Sequence, residues 1–278
     1  MPNIELIGLI LIIANFAFTY KGLTNRLFFE RYKFEVDKIL ISKDYKRLVS
    51  SAFLHVNWPH IIFNMFSLFV FSGLLEGELG GFLFLLIYLA GLLGGDLLAL
   101  FVHRHHGDYT AVGASGAVCG VIFASIALFP GLGVGFLGLP FSIPSWIYGI
   151  LYVGYSIYGI KTNRDNIGHE AHLGGALVGM FVAITIQPSA LVENYLTILL
   201  ITIPSILFIY LILTKPHLLL IDSSFIVASK KHFNIEHKHN EKKAHKQKEL
   251  DKLLEKINEK GIESLSKKER EKLDKYSK

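Results

Sequence analysis

The stretch Gly113-Ala-Ser115-Gly116-Ala-Val-Cys119-Gly120-Val-Ile-Phe-Ala124-Ser-Ile-Ala-Leu-Phe129 places a serine among small residues, directly after a polar loop and at the head of an apolar run. Small neighbours let other backbone approach the hydroxyl, and a serine in the first turn of a helix lies beside N–H groups that lack an intrahelical acceptor. Such a site suits a nucleophile whose product is an oxyanion. The same pattern also serves plain helix packing in a membrane, so its meaning depends on the rest of the chain.

Outward from this stretch the chain is a series of apolar runs. With 51% hydrophobic residues in 278, it is too apolar for an ordinary soluble domain and reads as an all-α polytopic membrane bundle. Seven spans are expected: Ile4 to Tyr20, His60 to Leu75, Phe82 to Phe101, Ser115 to Phe129, Ser145 to Ile160, His169 to Ile186 and Tyr195 to Thr214. The first lacks a basic n-region and a small-residue cleavage site, so it is expected to remain as a span rather than act as a signal peptide. The fourth and fifth are short, as expected of helices that start below the bilayer surface. The single cysteine, Cys119, excludes an intramolecular disulfide framework and a cysteine-rich metal site.

The first loop, Lys21 to Arg47, carries Phe28, Phe29, Tyr32 and Phe34 among eight basic residues, so it is expected at the interface with its rings in lipid. The fourth loop, with Gly131, Gly133, Gly135 and Gly138 before Pro140 and Pro144, is expected to be a flexible break. Residues 215–278 hold 17 Lys and Arg against 11 Asp and Glu, whereas residues 1–214 hold 11 against 12, so a basic tail follows a nearly neutral membrane body. Lys230 to Gln247 reads as a solvated His/Lys linker. Leu250, Leu253, Leu254 and Ile257 then form an amphipathic stripe ended by Gly261, and Ser266 with Glu269 forms a capping box for a second short helix. The expected organisation is a six-helix core over 1–190, a seventh span over 191–215, a linker over 216–248 and a helical hairpin over 249–278.

Polar side chains inside apolar spans mark functional sites. Besides Ser115 they are His60 and Asn64, four apart on one face of the second span, and His169 and His172 at the head of the sixth. Nucleophile, base and hydrogen-bond donors are the parts of acyl transfer. Gly116, Gly120 and Ala124 form a small-residue face on the fourth span, and Gly175, Gly179 and Ala183 form one on the sixth, on the side of His172. Such faces let backbones approach closely enough for side chains on the two helices to meet. The fourth and sixth spans run in the same direction, so Ser115 and His172 are expected at similar depth.

In the motifs His60-Ile-Ile-Phe-Asn64, Gly113-Ala-Ser115-Gly116 and Ala171-His172-Leu-Gly-Gly175-Ala-Leu-Val-Gly179, the chain resembles the rhomboid intramembrane serine proteases, bacterial type. The resemblance covers roughly residues 1–190, and Tyr45-Lys-Arg47 before the second span fits it too. It implies a Ser115–His172 dyad, an oxyanion hole from His60, Asn64 and the backbone at Ser115 behind Gly113, no cofactor or metal, and no nucleic acid. The implied partners are transmembrane protein substrates in the lipid bilayer, and the implied location is the bacterial inner membrane. One departure is Cys119, where the family commonly carries an aromatic ring that packs on the base. The tail resembles a short module appended to some bacterial rhomboids.

Three rival readings follow from the same residues. A pseudoprotease would bind membrane helices without cutting them, although its mark would be loss of Ser115 or His172. A transporter would use His60, His169 and His172 as a proton relay. A zinc protease would draw ligands from His103, His105, His106 and His169, but no His-Glu-x-x-His is present and the cluster reads as a hydrated loop. For orientation, Lys and Arg gather on the side of the first, third and fifth loops and the tail, which the positive-inside rule places in the cytoplasm. The resemblance points outward, and that is the expectation kept, with the tail outside as well.

Overall fold

A computed structural model describes residues 5–135, 142–162 and 168–214, together with 256, 257, 263, 265, 266, 269, 270 and 273. The expected linker over 216–248 and the stripe residues Leu250, Leu253 and Leu254 lie outside the described residues. Seven long helices form the body: α1 (Leu6–Thr24), α2 (Trp58–Leu79), α3 (Gly81–Val102), α4 (Ser115–Leu128), α5 (Ser145–Thr162), α6 (His169–Ile186) and α7 (Tyr195–Thr214). Five of them, α1, α2, α3, α6 and α7, are long and apolar enough to cross a bilayer. The protein is an all-α polytopic membrane bundle.

At 14 residues, α4 is about 21 Å long, short of the roughly 30 Å of a hydrocarbon core. Every residue from Gly116 to Leu128 is buried, which is the condition for a helix that is apolar all round. Leu, Ile and Phe side chains instead cover the outside of the bundle, including Phe63, Phe82, Phe181 and Leu196, each at least 60% exposed. These are the lipid-facing positions.

Glycine sets the spacing inside. A Cβ on Gly91 of α3 would meet the Gly120 Cα of α4 at 2.9 Å, and one on Gly95 would meet the Ala171 carbonyl of α6 at 2.6 Å. Gly175 of α6 faces the Gly116 carbonyl of α4 directly, and Gly179 faces Gly120. The helices α3, α4 and α6 therefore touch backbone to backbone, and the two small-residue faces expected from the sequence lie against each other. At the rim, the Glu76 carboxylate of α2 accepts from the N–H groups of Ile7 (2.7 Å) and Gly8 (2.8 Å). A carboxylate on these two otherwise unpaired donors caps α1 and complements its dipole.

The first loop departs from expectation. Phe34 is fully buried rather than in lipid, packing with Val36, Ile39 and Ala99 in a second small core. It belongs to β1 (Phe34–Glu35), which pairs antiparallel with β2 (Thr110–Ala111), Phe34 opposite Ala111. Arg47, 5% exposed, holds this loop: its guanidinium donates to the carbonyls of Lys33 (2.7 Å) and Glu30 (3.1 Å) and to Asp44 Oδ2 (3.0 Å). The pairing anchors the chain four residues before Ser115. At the two ends of the fourth loop, β3 (Gly133–Gly135) and β4 (Ser142–Pro144) pair antiparallel where a flexible break is expected.

In the tail, the expected capping box is present. Ser266 N–H donates to Glu269 Oε2 (2.7 Å), and Glu269 N–H donates to Ser266 Oγ (3.3 Å). Lys256 reaches the same carboxylate at 2.9 Å.

Candidate active site

Ser115 is the first residue of α4, and the loop before it is held from three sides. Gly113 adopts φ +132°, a conformation open to glycine, and its N–H donates to the Ser51 carbonyl at 3.1 Å. The Ala114 N–H donates to His55 Nε2 at 3.3 Å. Because a backbone N–H can only donate, Nε2 is the accepting nitrogen and the His55 proton resides on Nδ1. Nδ1–H then donates to Thr19 Oγ1 (2.8 Å), and the Thr19 hydroxyl donates to the Phe53 carbonyl (3.1 Å). His55 is fully buried, and that burial, with the neighbouring His60 second, pushes its pKa down to about 3. It is a neutral strut under the serine loop.

His60 stands at the third position of α2, where Asn57 Oδ1 caps its N–H at 2.9 Å. Its ring meets the His55 ring edge to face at 4.9 Å and fills the space a Gly113 side chain would need. Asn64, one turn on and buried, donates through Nδ2 to the His60 carbonyl (3.1 Å). His60 thus lies against Gly113, two residues before Ser115, and Asn64 is tied to the His60 backbone one turn further along α2. The first-turn N–H groups at Ser115 and Gly116 lack intrahelical acceptors by helix geometry.

His172 sits in the first turn of α6, 8% exposed. Gly116 and Ala171, the immediate neighbours of Ser115 and His172, face each other across the α4–α6 contact: a Gly116 Cβ would lie 3.5 Å from the Ala171 carbonyl. The His172 Nδ1 lies 3.0 Å from the Tyr152 hydroxyl of α5, which in turn lies 3.0 Å from Cys119 Sγ of α4. His169 is buried against α5 instead, its ring edge-on to Tyr155 at 5.0 Å and over Gly159.

His103 is not part of a hydrated loop. It is 3% exposed, stacked on Tyr109 (centroids 3.6 Å) and bonded through Nε2 to Glu170 Oε1 (2.9 Å). The Tyr109 hydroxyl donates to the same oxygen (2.7 Å), and burial followed by the Glu170 charge pushes that phenol well above its usual pKa. Among the described residues no group of three or more His, Cys, Asp or Glu is placed to hold a metal ion.

Sequence reasoning missed His55, Thr19 and Tyr152. For Tyr152 a signal exists in Tyr148, Tyr152 and Tyr155, an aromatic stripe at helical spacing on one face of α5.

The fold and site define a polytopic helical membrane protein with a serine and a histidine at the heads of two helices in backbone contact. Residues 42–189, just over half of the chain, match the family described as Rhomboid domain. The chain belongs to the rhomboid family. Residues 233–278 match a second family, described as of unknown function. Among similar proteins, RHOMBOID-like protein 12, mitochondrial, of Arabidopsis thaliana is 33% identical over 47% of this chain and 43% of its own. Putative rhomboid protease YdcA of Bacillus subtilis is 37% identical over 30% of this chain and 42% of its own. Rhomboid protease GluP of the same organism is 29% identical over 58% of this chain and 30% of its own. The chain spans less than half the length of each of these three relatives.

Proposed function

We propose that the chain is an intramembrane serine endopeptidase that hydrolyses peptide bonds in or near transmembrane helices. The observation that supports this reading is the glycine contact of α4 with α6, the two helices that carry Ser115 and His172 at their heads, together with His60 of α2 packed against Gly113. With Nδ1 of His172 engaged by Tyr152, Nε2 is the nitrogen that takes the Ser115 proton as Oγ attacks the scissile carbonyl. The resulting oxyanion is received by the Ser115 N–H, His60 and Asn64. His172 then returns the proton to the leaving amine, and water hydrolyses the acyl-serine by the reverse sequence. A substrate helix unwinds locally to offer its carbonyl, most easily at glycine or other helix-breaking residues.

The proposed setting is a cell membrane, with the substrate a membrane protein and the site opening outward on the side of the tail. Protease shaving of intact spheroplasts tests this: a tail tag is expected to be lost before lysis, and its survival overturns the orientation.

The function is tested with a fluorophosphonate and a tagged transmembrane substrate in proteoliposomes. Label on Ser115 and its loss in Ser115→Ala, together with loss of cleavage by several orders of magnitude, is expected. His172→Ala is expected to be inactive. A dead His169→Ala beside an active His172→Ala would reverse the assignment of the base.

A further inference from the structure

The base of this site has a third partner, and it comes from a helix that carries neither the nucleophile nor the base. Three side chains from three helices form one line: Cys119 of α4, Tyr152 of α5 and His172 of α6, with both separations 3.0 Å. The Tyr152 ring is held in place independently of these bonds. It lies edge-on to Phe123 at 5.8 Å and between Tyr148 and Tyr155, at 6.0 and 6.4 Å. Its hydroxyl therefore reaches His172 from a fixed ring with two torsions rather than from a mobile chain.

We propose that Tyr152 is the positioning residue of the His172 base, fixing the imidazole in the tautomer that leaves Nε2 toward Ser115. This inference rests on the protease reading above. The proton inventory decides the direction of each bond. For Nε2 to accept from Ser115, the neutral ring carries its proton on Nδ1, so Nδ1–H donates to the Tyr152 oxygen. The Tyr152 hydroxyl has one proton, which it donates to Cys119 Sγ. When Ser115 Oγ–H passes its proton to Nε2, the imidazolium keeps its Nδ1–H on Tyr152, and Tyr152 keeps its own proton. No proton moves along the line; its work is to hold the tautomer and the ring plane, and a hydrogen bond from the charged ring is stronger than one from the neutral ring. That is the task an ionised carboxylate performs in three-residue sites, here done by a neutral phenol, which is less costly to bury in apolar surroundings.

The test uses the full chain in proteoliposomes and Tyr152→Phe, which removes only the oxygen. A fall in kcat of about tenfold with KM within twofold of wild type is expected, because the bond strengthens as the ring takes up the Ser115 proton and its loss also releases the tautomer. Fluorophosphonate labelling of Ser115 is expected to slow by a similar factor while the final labelled fraction stays the same. A role in folding alone would lower the final fraction and leave the rate of the remaining molecules unchanged, and that result overturns the proposal. Cys119→Val supplies an independent arm: it is expected to slow labelling in the wild-type background and to add less than twofold to Tyr152→Phe, because both act through one line. Fully additive losses overturn the line. A wild-type protein that neither reacts at Ser115 nor cleaves overturns the protease reading and this role with it. A reactive wild type with an unaffected Tyr152→Phe overturns the positioning role alone.

Discussion

Gly113 and His60 occupy one space: a Cβ at Gly113 would lie 2.9 Å from His60 Nε2. The backbone there is at φ +132°, so a side chain would be strained even if the ring moved away. Gly113→Ala is expected to lower kcat by two orders of magnitude or more, since it displaces His60 and tilts the loop that carries the Ser115 N–H. Single-turnover cleavage in liposomes reads it. A variant with wild-type kcat would show that this loop does not shape the oxyanion site.

Gly175 is the point where α6 rests on the Gly116 carbonyl, whereas Gly154 of α5 has open space around it. Gly175→Val is therefore expected to part α4 from α6, removing activity and lowering the thermal midpoint in detergent. Gly154→Ala is expected to keep activity and to gain up to about 1 kcal/mol from helix propensity. Equal effects of the two substitutions would contradict the glycine contact as the element that joins the helix of Ser115 to the helix of His172.

His55 gives a pH dependence whose sign is fixed. Its folded pKa of about 3 lies below the roughly 6.5 of an unfolded histidine, so between those values the unfolded chain binds a proton that the folded chain refuses. Stability conferred by this site is complete above about pH 6.5 and is lost as the pH falls toward 3, with a slope of at most about 1.4 kcal/mol per pH unit. His55→Gln, whose carbonyl can still accept from Ala114 N–H, is expected to remove that slope. Unfolding followed in detergent from pH 7 to pH 4.5 should show the two proteins converging as the pH falls, and parallel curves would refute the neutral strut.

Glu76→Ala removes the acceptor of two α1 N–H groups at once. A loss of about 1–3 kcal/mol is expected, the range for leaving buried donors unsatisfied, with kcat per folded molecule unchanged. A thermal scan combined with active-site labelling separates the two quantities, and a stable variant would show that α1 is not capped through this carboxylate.

By itself the sequence determined the membrane class, the seven helices to within a few residues at each end, the glycine faces, and the Ser266 and Glu269 box. A bilayer demands long apolar helices with internally satisfied backbone, and periodicity and capping are local signals, so both are written within a few turns of chain. Ser115, His60, Asn64, Gly113 and His172 stand out in the sequence as candidates because polar and small residues are rare within apolar runs. Only the tertiary structure decided the rest. Phe34 reads as a lipid-facing ring until β1 meets β2, and His103 reads as a hydrated histidine until α6 brings Glu170 to it. His55 finds Ala114 across 59 residues, and Tyr152 finds Cys119 across 33 and His172 across 20. A side chain's hydrogen-bond partner is fixed by which backbones lie in contact, and that contact was set by the glycines of α3, α4 and α6, so the local sequence around His55 or Tyr152 carries no record of the atom it binds.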